Sequence, residues 1–378
     1  MKKLFYLFAA ASLIAASVSC NKENANVPGD GRKVDVYVTI HGASVGDNTK
    51  VEYSSSRSDN EVKVNSLQVF AFNGQNLEAY TNSIVQGVDP VTSQPVIQAV
   101  VPATSGEREI WAVVNAPNLS TVTTLAGLKA ATSSLADNSA NHFVMIGSTT
   151  QELNSSNDAT HPIDITVRRV VSRVSIKKIS GDFKLTMSDA RFSVQKIYLI
   201  NVVGSQPYEI GGTTADGILS GSTTWLNQLG YSASGASGLL YDEFASPFLV
   251  TNSAFMTTQH DFYPYPNTYG VTRSAAGLTL NSPMGEGGVY STPFSPRQTM
   301  LVIEGRFYEN ASDLTGVLGY YPIDLPALQR NKCYVIDEVT LSRRPGTEPY
   351  KPIETGDAYI QITIQDWDAT LSLGTIHC

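Results

Sequence analysis

The sequence predicts an all-β protein with two β-sandwich domains in tandem, and three observations support this fold class. Apolar and polar residues alternate with a period of two in one segment after another, which is the pattern of strands with one buried face. Glycine, proline and tyrosine are frequent, with 29, 18 and 18 residues, whereas only 16% of all residues are charged. The length of 378 residues also exceeds that of one typical domain.

The first twenty residues form a targeting segment and are set apart from the fold. Lys2 and Lys3 precede an apolar run, residues 4–16, that is too short to span a membrane. The run ends in Ser-Val-Ser-Cys, and small residues before a cysteine are typical of a bacterial lipobox. We predict that Cys20 is lipidated. The alternative is plain secretion, with cleavage near a cysteine that is not modified.

A polar stretch, residues 21–31, separates this segment from the first predicted strand. The sequence VDVYVTI then alternates strictly, which places four apolar residues on one face of a strand: Val34, Val36, Val38 and Ile40. A second polar stretch, residues 41–56, ends at Arg57. An isolated strand followed by a long polar segment is an unusual start for a compact domain, because the strand must pair with something further along the chain.

The remaining strand-like segments are spread over the whole chain. They are residues 64–72, 94–101, 109–115, 142–146 and 163–179 in the first half, and residues 192–203, 298–308, 319–324, 332–341 and 359–367 in the second. Asn73-Gly74 after the first segment is a strong turn signal. A single short helical pattern covers residues 125–135 of the first half, and residues 204–296 are predicted to be irregular.

Two segments are compatible with a binding function, and each has a plainer interpretation. Five basic residues cluster in the predicted strand 163–179: Arg168, Arg169, Arg173, Lys177 and Lys178. We interpret them as the solvated face of one long strand near a domain border. The aromatic and proline-rich stretch 261–269 either binds a glycan or packs over the edge of a sandwich.

Composition and motifs exclude several classes of function. The formal net charge is −8 and no basic block is interleaved with stacking aromatics, so we predict no nucleic-acid partner. Three cysteines and five scattered histidines show no metal-ligand spacing, and the sequence holds no HExxH and no P-loop. Asp366 and Asp368 flank Trp367, but residues two apart on a strand more often decorate one face. We therefore predict no metal, no cofactor and no catalytic residues.

Several stretches, taken in their order and spacing, carry a resemblance to a known family. They are EVKVNSLQVFAFNGQNLEAY after Arg57, then REIWAVVNAPN, HFVMIGS and VRRVVSRVSIKKI, and later GILSGSTTW, YYPIDL, LQRNKCYVIDEVTLSRRPGTEPYKPIE and YIQITIQDW. Together with the lipobox-like Cys20, this chain resembles the fimbrillin family, the FimA-like shaft subunits of type V pili in Bacteroidales. The lipobox departs from the family pattern at Ser17.

The resemblance implies a domain order and a maturation route. Residues 1–20 are the lipoprotein signal peptide and residues 21–57 a pro-segment with a removable strand. The two transthyretin-like sandwiches are residues 58–180 and residues 181–378. An arginine-specific protease is expected to cut between Arg57 and Ser58, and this cut frees the strand that carries Val34, Val36, Val38 and Ile40.

In this family the vacated groove accepts a strand from a neighbouring subunit. The C-terminal segment offers two alternating runs as candidate donors: Ile360, Ile362 and Ile364, and then Leu371 and Leu373 after Ala369. The alternative is that both runs complete their own domain, and the sequence pattern alone leaves both interpretations open.

The resemblance also implies partners and a location. The partners are identical subunits in a homopolymer, the arginine-specific protease, anchor and tip subunits, and the outer membrane through the lipid on the precursor. The precursor would lie at the cell outer membrane and the mature subunit in the extracellular fimbria. The alternative function is a monomeric, tip or accessory surface lipoprotein that binds a glycan or a host protein.

Overall fold

The structure, a computed structural model, is built almost entirely from β-strands. It describes residues 31–42, 61, 63–88, 95–184, 187–208, 225–227, 238–267, 284–285, 289–290, 299–350, 363–366 and 375–377. Cys20, Arg57 and Ser58 lie outside these residues. The predicted all-β fold class is confirmed.

The first half contains nine strands and one short helix among its described residues. They are β1 (Lys33–Gly42), β2 (Leu67–Asn73), β3 (Asn76–Thr81), β4 (Val85–Val88), β5 (Pro95–Thr104), β6 (Gly106–Val114), α1 (Leu125–Ala130), β7 (Thr132–Ser134), β8 (Met145–Leu153) and β9 (Ile163–Arg169). The predicted helix 125–135 ends early, because Thr132–Ser134 pair with a strand of the second half, residues 205–207. A single 3-10 turn, Leu135–Asp137, follows β7.

Eight of these strands are hydrogen-bonded to one another in the order β3-β2-β6-β8-β9-β1-β5-β4. β8 and β9 are joined by only two residue pairs, Met145 with Arg169 and Ile146 with Arg168. The sheet folds over at this junction, so that the layer β3-β2-β6-β8 packs face to face against the layer β9-β1-β5-β4. Gly147 lets the two strands approach here, because a Cβ atom at this position would clash with the carbonyl oxygen of Thr166.

The two layers enclose an apolar core to which both contribute. Its fully buried members include Val36 and Val38 of β1, Val69 of β2 and Ala112 of β6. The side chains of β2 alternate between this core and a second one, so six of the seven residues of β2 are buried. The layer β3-β2-β6-β8 is therefore covered on both faces.

The second half contributes the remaining described strands. They are β10 (Arg173–Ile176), β11 (Ile179–Gly181), β12 (Arg191–Ile200), β13 (Val202–Val203), β14 (Ser205–Pro207), β15 (Trp225–Leu226), β16 (Tyr241–Val250), β17 (His260–Phe262), β18 (Met284–Gly285), β19 (Val289–Tyr290), β20 (Met300–Tyr308), β21 (Val317–Asp324), β22 (Lys332–Ile336), β23 (Glu338–Leu341), β24 (Thr363–Asp366) and β25 (Thr375–His377). Their main sheets have the orders β17-β10-β22-β24, β11-β23-β25 and β16-β12-β20-β21.

A second apolar core joins this half to the first. It contains Ile176 of β10, Leu199 of β12 and Ile303 of β20 together with Phe70 of β2 and Trp111 of β6. The outer face of the first sandwich thus packs into the same core as the sheets of the second half. We call this boundary the seam.

The predicted single strand over residues 163–179 is wrong. The segment is divided into β9, β10 and β11, and the chain leaves the first sandwich at Val170–Ser172. β10 pairs in parallel with β22, and β11 in parallel with β23. Sheet membership therefore changes between Arg169 and Arg173, whereas the predicted domain limits of 58–180 and 181–378 stay a prediction.

The region 204–296 contains strands that the sequence pattern did not indicate. β16 forms an edge strand of ten residues and pairs antiparallel with β12. Its exposure does not alternate, and Pro247 interrupts the ladder, which is typical of an edge strand. β17 pairs with β10 and brings the aromatic stretch 261–267 to the seam.

The carboxylate of Glu78 links the two layers at the edge of the first sandwich. Glu78 of β3 accepts hydrogen bonds from the backbone nitrogen (2.5 Å) and the hydroxyl (2.7 Å) of Thr104 in β5. Its other oxygen accepts a hydrogen bond from Arg108 Nε of β6 at 2.5 Å. Partial burial disfavours ionisation of Glu78, but the hydrogen bonds from Thr104 and Arg108 outweigh it, so the pKa of Glu78 is lowered.

We predict that Glu78→Gln lowers the free energy of unfolding at neutral pH by about 1–3 kcal/mol, because charge-assisted hydrogen bonds are lost. A lowered folded-state pKa stabilises the protein above the unfolded-state pKa, and this contribution disappears as the pH falls through the folded-state value. The deficit of the variant should therefore shrink on acidification below the ordinary glutamate value of 4.5. Urea unfolding at several pH values measures this effect.

The matched control is Glu309→Gln, because Glu309 forms an ion pair with Arg344 on the surface, where both side chains are about half exposed. Such pairs contribute about 0–1 kcal/mol. Equal and pH-independent losses in the two variants would contradict the role given to Glu78.

Candidate functional site: the N-terminal strand and the seam

Strand β1 lies in the middle of its layer although it comes first in the chain. Residues 33–40 pair antiparallel with residues 97–104 of β5, and residues 38–42 pair in parallel with residues 163–167 of β9. β5 and β9 are not neighbours in the strand order, so β1 alone joins them. Without β1, two rows of backbone donors and acceptors would lose their partners.

The inner face of β1 fills the core of the first sandwich. Val36 and Val38 are fully buried, Ile40 is nearly so, and Val34 is partly buried against the same cluster. Burial of such side chains contributes about 1.5–3 kcal/mol each before entropy. The opposing positions on β5 include two small residues, Ala99 and Ala103. The groove that holds β1 is therefore apolar on its inner side and shaped for β-branched side chains.

The outer face of β1 makes specific polar contacts. Gln98 Nε2 of β5 donates a hydrogen bond to Thr39 Oγ1 at 3.0 Å, and both residues are buried. At the end of the strand, His41 Nε2 lies 2.7 Å from Asp164 Oδ1 of β9, in a more exposed position. Each neighbour of β1 thus recognises it with one side chain as well as with its backbone.

The beginning of β1 is also fixed. The amide of Ser105 donates to the carbonyl oxygen of Arg32 at 2.8 Å, and the amide of Arg32 donates to Ser105 Oγ at 3.1 Å. The amide of Tyr37 donates to the carbonyl oxygen of Asn157 at 2.9 Å, just before the ladder with β9 begins. The four predicted groove-filling residues are therefore held along the whole length of the strand.

The other predicted site residues are placed only in part. Ile364 belongs to β24, which pairs antiparallel with β22 of the same chain, and it lies opposite Tyr334. The remaining candidate donors, Ile360, Ile362, Leu371 and Leu373, lie outside the described residues. The lipidation site Cys20 and the cleavage site Arg57–Ser58 do so as well.

A buried ion pair at the seam was not predicted from the sequence. Glu61 comes four residues after Arg57, and both Glu61 and Arg173 are 2% exposed. Arg173 Nη1 lies 3.4 Å from Glu61 Oε2, and Arg173 Nε lies 3.1 Å from Asp261 Oδ1. Burial disfavours the Arg173 cation, but Asp261 and Glu61 outweigh burial and raise the pKa of Arg173. The guanidinium therefore stays charged between two carboxylates.

Two further side chains bind Glu61. Tyr263 Oη donates a hydrogen bond to Glu61 Oε1 at 2.7 Å, and Arg169 Nε donates to the backbone oxygen of Glu61 at 2.9 Å. Burial, together with the negative charge of Glu61, raises the pKa of Tyr263, so its phenol remains a donor. Glu61 thus contacts three separate parts of the fold, which are the end of β9, strand β10 and the loop after β17.

The expected solvated face of the basic cluster is wrong for Arg169 and Arg173, which are both buried. Arg168 is exposed, whereas Lys177 and Lys178 are partly buried and lie 2.8 Å from Asp337 and Glu338. The exposure of these side chains does not follow the alternation of a single strand, because the chain passes from one sheet to another within this segment. Basic side chains at such a crossing meet carboxylates from distant parts of the chain.

The aromatic stretch packs into the protein along its described part. Phe262, Tyr263 and Tyr265 are buried. Tyr265 Oη donates to the backbone oxygen of Ser134 at 2.9 Å and lies 2.6 Å from Ser133 Oγ. Of the two interpretations of this stretch, packing against a neighbouring element is the one that residues 261–267 follow.

Over the described ranges, no group of three or more histidine, cysteine, aspartate or glutamate side chains is arranged to hold a metal ion. Within the same ranges, no helix has the length and apolarity needed to cross a membrane.

Solved structures from several species of Bacteroidales share this fold. A candidate cell adhesion protein from Bacteroides eggerthii is 18% identical with a TM-score of 0.58, covering 90% of this chain and 98% of that one. One from Parabacteroides distasonis is 17% identical with a TM-score of 0.56, covering 89% and 96%. A fimbrilin (FimA) from Porphyromonas gingivalis is 16% identical with a TM-score of 0.50, covering 90% and 97%. These likenesses show the fold.

A family comparison agrees with these likenesses over the first half of the chain. The family model described as major fimbrial subunit protein (FimA) matches residues 35–174, from β1 to β10. This match confirms the resemblance to the fimbrillin family. No curated protein matches the chain in sequence.

We predict that Glu61→Gln lowers the free energy of unfolding by about 3 kcal/mol, because it removes a charge from a buried ion pair and leaves Arg173 incompletely compensated. Urea unfolding followed by tryptophan fluorescence measures this loss. The matched control is Glu107→Gln, because Glu107 is exposed, and exposed substitutions change the free energy by about 0.5 kcal/mol or less. Coincident unfolding curves for Glu61→Gln and the unmodified protein would contradict the role of Glu61.

Proposed function

We propose that this chain is the shaft subunit of a fimbria, exported as a lipoprotein, matured by proteolysis after Arg57 and polymerised by strand exchange. The observation that carries the proposal is the position of β1. It is sequentially the first strand, yet it lies between β5 and β9 and fills their shared groove. A cut between β1 and β2 would sever a strand whose place in the sheet another subunit's strand can take.

The geometry supports a stable precursor. While β1 occupies the groove, the backbone groups of β5 and β9 are paired and the apolar core is closed. A sheet that lacks an inner strand exposes both, and addition of a strand from outside satisfies both. An arginine-specific protease that cuts between Arg57 and Ser58 would leave β1 bound without a covalent link, until a neighbouring subunit displaces it.

Glu61 supports a cut at this position. It lies four residues after Arg57, and it is held by Arg173, Tyr263 and Arg169. The mature chain would therefore keep its new N-terminal end at the seam after cleavage. A cut after Arg32 would instead leave β1 attached and the groove filled.

The C-terminal segment is the proposed source of the replacement strand. Of its two alternating runs, the one containing Ile364 is paired with β22 in its own sheet. This pairing favours a structural role for that run within its own domain. Leu371 and Leu373, which follow it, remain the proposed donor residues.

Lipidation at Cys20 would hold the precursor at the outer membrane, and cleavage after Arg57 would release the subunit from this anchor. We propose identical subunits, anchor and tip subunits and the protease as partners, and we assign no enzymatic activity. The alternative of a glycan-binding accessory subunit has less support, because the aromatic side chains Phe262, Tyr263 and Tyr265 are buried.

We predict that Arg57→Ala accumulates as monomer, because β1 stays covalently attached and cannot be displaced. The matched control is Arg32→Ala, which should polymerise like the unmodified protein. Electron microscopy and native gels distinguish filaments from monomers, and N-terminal sequencing of filaments from the unmodified protein should begin at Ser58. Filaments of Arg57→Ala that retain residues 34–40 would contradict strand exchange.

We predict that Cys20→Ala abolishes lipid labelling and membrane association of the precursor. Several acyl chains on one terminus contribute about 0.8 kcal/mol for each buried CH₂ group, which is sufficient for stable anchoring. Membrane fractionation and incorporation of labelled palmitate measure the effect, with Cys333→Ala as the control, because Cys333 is buried in β22. Palmitate incorporation that persists in Cys20→Ala would contradict the proposed anchor.

A further inference from the structure

Strand β5 forms one wall of the groove, and β1 alone joins it to the other wall, β9. In the strand order, β4 pairs with β5 and β5 pairs with β1. When β1 leaves in the proposed exchange, the pair β4-β5 has no ladder to the rest of the first sandwich among the described strands. A groove that accepts a second strand nevertheless has to keep β5 at the distance of one intervening strand from β9.

Apolar packing holds β5 in place only weakly. Its fully buried inner residues are Ala99, Val101 and Ala103. Apolar stabilisation grows with the area removed from water, so the two alanines contribute little. These residues share their cluster with Val36 and Val38 of β1, which leave with the strand. Strand β5 therefore loses its ladder and part of its apolar contacts in the same step.

The contacts between Glu78, Thr104 and Arg108 do not involve β1. Glu78 of β3 accepts hydrogen bonds from the backbone and the hydroxyl of Thr104 in β5, and from Arg108 Nε of β6. Arg108 Nη2 also donates to Thr104 Oγ1 at 2.6 Å. The side chains of Arg108 and Glu78 are only 8% and 18% exposed. This cluster, which we call the Glu78 cluster, thus joins β5 to the layer β3-β2-β6-β8, whose own ladders do not depend on β1.

The Glu78 cluster lies at one end of the groove. Thr104 is the last residue of β5 and pairs with Lys33, the first residue of β1. Ser105 is the only residue between β5 and β6, so the chain also enters β6 at this end. A covalent connection of one residue limits how far β5 can move, but it does not fix the direction of the strand. The hydrogen bonds to Thr104 provide that restraint.

We propose that Glu78 is a positioning residue for strand exchange, and that its hydrogen bonds to Thr104 keep β5 in place while the groove is empty. This inference rests on the proposed function. It goes beyond the contribution of Glu78 to the stability of the filled sandwich, because it concerns the state from which β1 is absent. An incoming strand then meets a groove that is already formed.

A positioning role has a kinetic signature that differs from that of a general stabilising contact. In the filled groove, the bound strand itself holds β5 through eight residue pairs, so loss of the Glu78 cluster leaves the dissociation rate nearly unchanged. In the empty groove, β5 moves away and fewer molecules are ready to bind. The apparent affinity falls in proportion to the fraction of molecules that remain competent. The loss therefore lies in association.

The first test measures binding of a fluorescent peptide of residues 33–42. The full chain is cleaved with an arginine-specific protease, its own first strand is exchanged for an excess of the peptide, and free peptide and released fragment are removed by gel filtration. Anisotropy gives the dissociation rate after addition of unlabelled peptide, and competition gives the affinity. Glu78→Gln should weaken the affinity about tenfold and change the dissociation rate by less than about twofold.

A second variant and a matched control accompany this test. Arg108→Lys keeps the charge but cannot bind Glu78 and Thr104 together, and it should weaken the affinity about threefold at an unchanged dissociation rate. The control is Glu304→Gln, because Glu304 is also a buried carboxylate with two side-chain partners, Lys196 and Tyr198, but lies on β20 in the second half. Its affinity for the peptide should stay within about twofold of that of the unmodified protein.

The second test measures filament growth of the same cleaved proteins by light scattering and electron microscopy. Growth should slow about tenfold in Glu78→Gln, because each added subunit depends on a formed groove. Growth of Glu304→Gln should match that of the unmodified protein.

The outcomes separate the two proposals. Unchanged affinity in Glu78→Gln, or a loss of affinity caused entirely by faster dissociation, would overturn the positioning role and leave strand exchange intact. Equal losses in Glu78→Gln and Glu304→Gln would do the same, because the effect would then be one of general destabilisation. No peptide uptake and no filaments from the unmodified protein after cleavage would overturn both proposals, because the groove would then exchange no strand.

Discussion

The backbone pairing of β1 with β5 on one side and β9 on the other is the interaction on which the first sandwich depends. A strand at the edge of a sheet can be lost with the loss of one ladder, whereas an inner strand holds two ladders and a share of the core. The first sandwich is therefore complete only when a strand that alternates like β1 pairs with both β5 and β9.

The contacts at the seam differ in kind from those in the groove, because they are ion pairs and hydrogen bonds between particular side chains. Glu61, Arg173 and Tyr263 are buried, and together with the partly exposed Asp261 they form a charged and hydrogen-bonded cluster adjacent to the shared apolar core. Such a cluster adds little net stability over apolar packing, but it tolerates few alternative arrangements. Glu61 is thus held by directional contacts, whereas β1 is held by backbone pairing and apolar packing.

The sequence predicted those features that depend on local periodicity. The one-sided alternation of β1 was visible because its partners bury one face of it. The alternation in residues 163–179 was equally regular, but the chain crosses from one sheet to another at Val170–Ser172. Periodicity in the sequence does not indicate which strand pairs with which, so it could not predict this crossing. β16 was missed for the opposite reason, since it lies at a sheet edge and has no alternating burial.

Side-chain pairs over long distances in the chain could not be predicted at all. Glu61 is one acidic residue in a polar stretch, and its partners Arg173 and Tyr263 are 112 and 202 residues away. Gln98 and Thr39 are separated by 59 residues, and neither is unusual for a strand. Strand β1 was therefore predicted from its pattern, whereas its side-chain contacts and those of Glu61 could be found only from the fold.

The length of the connections across the seam has a consequence for the order of folding. Contacts between distant parts of a chain close slowly, because a large loop must be ordered before any of them forms. Glu61 and Tyr263 are separated by 202 positions in the chain, so their contact forms only after residue 263 has been synthesised. The strands of the first sandwich, from β1 to β9, have all been synthesised by residue 169. A chain that emerges from its N-terminal end can therefore form the groove and fill it with its own first strand before the seam is able to close.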